Sequence, residues 1–184
     1  MRDTRESREP ASPCPEGLEP QLLQLPPPGE RAPGCALCQE GGGRVVFAHP
    51  LLRLVHAQEP GLEAFYRIIW TAHVREWSEL PAPQQWLCMQ AVAAVERAMR
   101  EVIAPHKVNL ASLGNVVPHL HWHIIARYEW DGHFPAPVWA PAHTAPQDLP
   151  PQRLQWLRER RPALEAAMCV GLQAVLQGGA PPAA

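Results

Sequence analysis

The stretch "PHLHWHIIARY", residues 118 to 128, alternates His119, His121 and His123 with Leu120, Trp122 and Ile124. Side chains of a β-strand alternate between its faces, so this spacing predicts a strand with three imidazoles on one side and apolar groups on the other. A sheet built around it has a buried face and a polar stripe. One reading of the stripe is partly exposed histidines without chemistry, but three stacked imidazoles repel one another when charged. A second is a metal site, because same-face histidines can chelate zinc. A third is catalysis, in which one imidazole attacks and its neighbours bind an anion.

Upstream, "RVVFA" (44–48), "LLRLVHA" (51–57) and "AFYRIIWT" (64–71) read as short strands separated by His49-Pro50 and Pro60-Gly61, which predicts an antiparallel meander. Leu87, Ala91, Val95, Ala98 and Val102 then recur at helical spacing, with Pro81 and Pro83 before them and Pro105 after, so a long helix is expected here. "KVNLASLG" (107–114) and "HLHWHIIARY" (119–128) complete five strands. The fold class expected is α+β, a five-stranded antiparallel sheet with a long helix and a C-terminal helical extension. In that extension "QRLQWLRERR" and "PALEAAMCVGLQAVLQ" read as two helices, with Pro162 opening the second and Leu164, Met168, Leu172 and Val175 forming its apolar stripe.

The 184 residues suffice for one sizeable core, and the expected organisation is a Pro-rich flexible segment (1–34), a central domain (35–140), and a Pro-rich strap with C-terminal helices (141–184). Eight of the 23 prolines fall in residues 1 to 34, a composition that disfavours a packed core. A net charge of -2 gives no general reason to expect nucleic-acid or anionic-lipid binding. The "RERR" run at 158–161 therefore reads as a solvated helix end. No apolar run approaches the roughly 20 residues of a membrane span, and the expectation is a soluble cytoplasmic protein. Five cysteines form no obvious disulfide framework, so Cys14, Cys88 and Cys169 are expected to be plain thiols.

Just before the histidines, Asn109, Gly114 and Asn115 offer amide groups and a permissive backbone, which can hold phosphate oxygens without a large positive charge. Together, "NLASLGNVVPHLHWHII" resembles the signature of the histidine triad (HIT) superfamily, His-φ-His-φ-His-φ-φ with φ hydrophobic, preceded by Asn and a Gly-Gln pair. The resemblance runs roughly from Cys35 to Trp139, and with "HFPAPVW" following the triad it is similar to bacterial members labelled dinucleoside polyphosphate hydrolases. It implies nucleotidyl transfer: His121 attacks the α-phosphorus of a nucleoside polyphosphate or phosphoramidate, a covalent nucleotidyl-histidine forms, and water or another acceptor releases the nucleotide. His123 would donate to a phosphoryl oxygen, and Asn109, Gly114 and Asn115 would bind substrate. Where many members carry Gly-Gln and then Ser or Thr, this chain has Gly114, Asn115 and Val116, so the hydroxyl often found near the leaving group is missing.

"CALC" at 35–38 reads as a redox motif, a zinc half-site or a pair of free thiols; without an adjoining βαβ pattern the redox use is disfavoured. His73, after the third strand, supplies a further candidate ligand. By resemblance to zinc-containing members such as the galactose-1-phosphate uridylyltransferases, the ligands would be Cys35, Cys38, His73 and His119. Four protein ligands imply structural zinc, with no catalytic metal required. His49 and His56 are expected at turn or strand positions, His106 at the helix C-terminus, and His133 within reach of the phosphates. Trp130 and Trp139 are candidates to pack over the site or at a partner surface. The resemblance further implies a homodimer with a nucleotide substrate. The alternative is a zinc-stabilised nucleotide-binding or sensing protein without catalysis. A third reading, removal of a 5′-adenylate from DNA ends as in the aprataxin branch, is disfavoured by the neutral charge.

Overall fold

The computed structural model describes residues 31–178. The expected flexible N-terminal segment, Cys14 included, lies almost wholly outside the described residues. A short helix α1 (Ala36–Gln39) precedes β1 (Arg44–Ala48), β2 (Leu52–His56) and β3 (Phe65–Trp70). Helix α2 (Ala82–Ile103), β4 (Lys107–Ala111), β5 (His121–Arg127) and helix α3 (Pro151–Gly178) complete the chain. The five strands form one sheet in the order β1-β2-β3-β5-β4, antiparallel throughout. The meander is as expected, but β5 enters between β3 and β4 and leaves β4 at the edge.

Both helices cover one face of the sheet. Leu54, Tyr66, Ile68, Trp70, Ile124 and Ala126 from the strands meet Ala91, Val95 and Met99 of α2 and Leu164, Met168 and Leu172 of α3 in a single core. Of the helical stripe expected from sequence, Leu87, Ala91, Val95 and Ala98 are buried and Val102 is half-buried. Pro81 is the N-cap of α2 and Pro83 falls in its first turn, where a missing N–H costs nothing. At the other end Ala104 takes a left-handed conformation (φ 39°) immediately before Pro105. Tyr128 Oη donates to the otherwise orphaned carbonyl of Ile103 at 2.8 Å.

The C-terminal extension is one helix, not two. Pro162 sits inside α3 and removes the hydrogen bond to the Arg158 carbonyl, a loss of about 3 kcal/mol in an isolated helix. Burial of Leu154, Leu157, Leu164, Met168 and Leu172 on both sides of it holds the helix together. Glu165, buried with them, accepts from Tyr66 Oη at 3.0 Å and pairs with Arg44, which pins α3 to β1 and β3. The "RERR" run is accordingly mid-helix: Arg158 and Arg161 both bind Glu63, and Arg160 lies over the Trp156 ring at 4.2 Å. Cys169 is disulfide-bonded and not the plain thiol expected, whereas Cys88 is a free, buried thiol.

The other face of the sheet carries polar groups. Cross-strand pairing puts Arg67 of β3 opposite His123 and Ile69 opposite His121, with Ala111 of β4 on the far side of His123. Lys107 faces Arg127, and Asn109 faces Ile125. Partnered residues share a face, so Arg67, His121, His123, Arg127 and Asn109 line one surface. No described helix is long and apolar enough to cross a membrane.

Candidate active site and metal cluster

His119 lies outside the strand that sequence spacing predicted. Pairing begins at His121, and the preceding residues run as a separate bridge: Leu120 N–H donates to Val74 and Trp70 N–H to Leu120. The His119 ring bonds back to the end of β3. Its Nε2 is 2.7 Å from the Trp70 carbonyl. A carbonyl only accepts, so this nitrogen carries the proton and Nδ1 holds the lone pair.

That lone pair meets three further ligand groups. His119 Nδ1 is 3.5 Å from Cys35 Sγ, 3.4 Å from Cys38 Sγ and 3.3 Å from His73 Nδ1, and Cys38 Sγ is 3.3 Å from His73 Nδ1. All four ligand atoms lie within 4.8 Å of one another. A tetrahedral zinc ion with bonds of about 2.0 Å to nitrogen and 2.3 Å to sulfur has ligand–ligand edges of about 3.3 to 3.8 Å. The cluster fits such an ion. Burial, with the neighbouring His73 and Arg53 charges, lowers the His119 pKa to about 4, so the ring is neutral as a ligand must be.

Arg53 builds the floor of this cluster. Buried between α1 and the sheet, it donates from Nη2 to the Leu37 carbonyl at 2.7 Å and from Nε to the Gly41 carbonyl at 3.0 Å. These bonds satisfy carbonyls around the C-terminal end of α1, the four-residue turn that is capped by Cys35 and contains Cys38. Gly43 then allows the chain into β1, because a Cβ there would sit 2.5 Å from the His56 carbonyl oxygen.

His121 is fixed by the same kind of bond at the opposite nitrogen. Its Nδ1 lies 2.6 Å from the His119 carbonyl and must donate, which leaves a lone pair on Nε2. Burial lowers its pKa, countered in part by that carbonyl bond and reinforced by Arg67. His123 packs against His121 with ring centroids 4.7 Å apart. Burial, then His121 and Arg67, push its pKa down to about 3. Its Nδ1 is buried with no hydrogen-bond partner among the described residues. Phe65 (5.5 Å) and Trp139 (5.3 Å) pack on the His123 ring edge to face.

Trp139 reaches the site from "HFPAPVW" (133–139), with which the Pro-rich strap begins in the structure, and it is half exposed there. Trp130 instead stacks on Tyr128 at 4.9 Å, away from the histidines. His133, expected within reach of the phosphates, donates from Nδ1–H to the Ala140 carbonyl at 3.0 Å and ties the strap to itself. Gly132 is required at the strap's closest approach, where a Cβ would come within 2.3 Å of the Thr144 carbonyl oxygen. His106 pairs with Glu129 at 3.4 Å and meets the Phe134 ring edge-on. His49 caps the β1–β2 turn by accepting from Leu51 N–H at 3.2 Å, while His56 is buried beside Tyr66.

Of the residues expected to bind substrate, Asn109 lies on the histidine face and lines a cleft of ≈ 570 Å³ together with Ala111, Pro135, Pro137 and Trp139. Gly114 (φ 78°) and Asn115 lie in the loop between β4 and β5, with Asn115 exposed. Sequence reasoning passed over three residues of this surface. Arg67 stands beside His123, held by Glu59 at 3.0 Å and the Gly42 carbonyl at 3.2 Å; the signal was a lone charge inside an apolar strand. Arg127 and Asp131 form a buried, two-pronged ion pair at 2.8 and 3.0 Å, and their i, i+4 spacing carried no signal in a chain rich in Arg.

The HIT domain model matches residues 39–130, half of the chain. A histidine triad protein from Bradyrhizobium japonicum is 31% identical, with a TM-score of 0.47 over 61% of this chain and 85% of that one. A histidine triad protein from Marinobacter aquaeolei VT8 is 28% identical, with a TM-score of 0.50 over 71% of this chain and 85% of that one. A Zn-bound histidine triad family protein from Mycobacterium smegmatis is 18% identical, with a TM-score of 0.50 over 77% and 96%, a likeness of fold alone. No curated protein sequence matches the chain. With the domain match spanning the sheet, α2 and the three histidines, the chain belongs to the HIT family, a superfamily of nucleotide-binding proteins that includes hydrolases and transferases.

Proposed function

We propose that the protein is a nucleotide hydrolase or nucleotidyl transferase that acts on the α-phosphate of a nucleoside polyphosphate or phosphoramidate. The observation that carries this reading is the 2.6 Å bond from His121 Nδ1–H to the His119 carbonyl, which leaves the Nε2 lone pair on the polar face of the sheet. Attack by Nε2 forms a P–N bond to the α-phosphorus, and the P–O or P–N bond to the leaving group breaks with its electron pair. The imidazole carries a positive charge in the adduct, and its Nδ1–H bond to a carbonyl stabilises that charge. Water or another acceptor then attacks phosphorus, and the electrons of the P–Nε2 bond return to nitrogen. His123, neutral with one N–H, donates to a phosphoryl oxygen. Asn109, Gly114 and Asn115 line the phosphate path, and Asn115 with Val116 leaves the leaving group without a hydroxyl partner at that point.

Cys35, Cys38, His73 and His119 would hold a zinc ion. Held there, an ion would tie the α1 segment to the end of β3 and to the start of β5, and with four protein ligands its role would be structural. A homodimer in the cytoplasm, with residues 35–140 as the HIT unit, belongs to the same proposal; light scattering on purified protein tests the dimer. Intact-protein mass spectrometry after brief exposure to an adenosine phosphoramidate or diadenosine tetraphosphate tests the chemistry. The expected result is a nucleoside monophosphate adduct on the wild type and none on His121→Ala. Ligand-dependent protection against unfolding without adduct or product would instead identify a binding protein.

A further inference from the structure

Arg127 is buried to 2% exposure at the end of β5, a costly place for a guanidinium. Its donors reach three residues on two segments, the strap and β4. Nε and Nη2 grip both oxygens of Asp131, Nη2 also donates to the Ala136 carbonyl at 2.9 Å, and Nη1 donates to Asn109 Oδ1 at 2.7 Å. Asp131 in turn accepts the backbone N–H groups of Tyr128, His133 and Phe134 at 2.8 to 3.1 Å, so it organises the start of the strap that carries Trp139. One side chain thus holds both walls of the cleft along β4, whose lining residue Trp139 packs on His123.

The contact with Asn109 has a definite polarity. An amide presents an acceptor at one end and two donors at the other, and either end can in principle face a ligand. A guanidinium has only donors, so the atom it meets must be the amide oxygen. The NH2 group is therefore turned away from Arg127. Asn109 shares the sheet face of His121 and His123 and borders the cleft closed by Trp139.

We infer that Arg127 is a positioning residue that reserves the subsite beside His123 for an acceptor-only group, by turning the Asn109 amide so that its NH2 faces the cleft. This deepens the nucleotide reading and rests on it: the acceptor is a phosphoryl oxygen, and a ligand presenting an N–H or hydroxyl donor at this point is refused.

The test uses the full-length chain with Asn109→Asp, Arg127→Lys and the double variant. Asn109→Asp keeps an oxygen for Arg127 and deletes the donor. Its melting temperature should hold or rise, while affinity for adenosine 5′-monophosphate, read by calorimetry, falls by about tenfold or more, as for loss of one hydrogen bond to a charged group. Arg127→Lys keeps the charge but cannot hold Asp131 and Asn109 together, so it should weaken binding about tenfold and raise KM more than it lowers kcat. In the Asn109→Asp background the same Lys substitution should cost little further affinity, because the donor it would misplace is already gone. Additive losses would overturn the inference and leave Arg127 a general structural residue. If wild type binds no nucleotide, the functional reading fails separately. The Asn109 side-chain amide signals in 15N NMR, identified by their loss in Asn109→Asp, still judge the positioning: they should shift and broaden in Arg127→Lys, and unchanged signals overturn it. Should Arg127→Lys fail to fold, Asp131→Asn frees the guanidinium from its anchor and is read the same way.

Discussion

His119 and His121 are two residues apart, and each uses one ring nitrogen to donate to a backbone carbonyl. The choice of nitrogen is opposite. His119 donates from Nε2 and presents Nδ1 to two thiols and another imidazole, inside the protein. His121 donates from Nδ1 and presents Nε2 on the sheet face. One backbone device therefore serves two chemistries: a ring whose short-reach nitrogen is free suits a packed ligand cluster, and a ring whose far nitrogen is free suits a reacting group outside the backbone. The tautomer is decided by which carbonyl lies within reach.

The sharpest way to break this distinction is to remove each ring in turn. His121→Ala should lower turnover by roughly four orders of magnitude, the scale on which loss of a catalytic nucleophile is felt, while the urea midpoint barely moves. A variant that turned over at the wild-type rate would show that the free Nε2 is not the nucleophile. His119→Ala or Cys38→Ser should do the reverse, with loss of bound zinc by elemental analysis and a fall in stability of several kcal/mol, since structural zinc binding is folding free energy. Treatment of wild type with a strong chelator should reproduce that fall, and full stability in metal-free protein would remove the structural role.

A smaller effect separates the anchored strap from both histidines. Burial alone would raise the Asp131 pKa, but hydrogen bonds from Arg127 and from the His133 and Tyr128 N–H groups outweigh it and hold the carboxyl below its ordinary value. A carboxyl whose folded-state pKa is depressed contributes stability above its unfolded pKa and loses it as pH falls through the folded one. Wild type should thus lose stability steeply below about pH 4, and Asp131→Asn should flatten that slope at a cost near neutrality of about 3 kcal/mol, because it leaves Arg127 buried without its partner. Parallel pH profiles for the two proteins would contradict this. Pro162→Ala should give the smallest change, a gain of about 1 kcal/mol in stability, read as a higher urea midpoint, with turnover unaltered, since the helix is already continuous through that position.

The five strands, their antiparallel character and α2 were legible because alternation and helical periodicity are local signals. The continuity of α3 was not, because a proline in an apolar stripe reads as a boundary unless one knows how much of the helix α2 will bury. The metal cluster was legible as a residue set through its resemblance to zinc-containing relatives, and the structure brings those four side chains together across 84 residues of sequence. The Arg127–Asp131–Asn109 network was not legible. Its partners come from a strand end, a strap and the edge strand, and none of these has a periodicity that points at the others.

By itself the sequence determined that three histidines alternate with core residues, that a cysteine pair precedes the sheet, and that a long apolar stripe covers one face. Only the tertiary structure decided which nitrogen of each ring is free, that β5 lies between β3 and β4, and that a buried arginine sets the polarity of the asparagine beside the site. The reason is one of range. Strand and helix periodicity depend on neighbours a few residues apart, whereas a tautomer or an amide orientation depends on which carbonyl or guanidinium a distant part of the chain delivers to hydrogen-bonding distance.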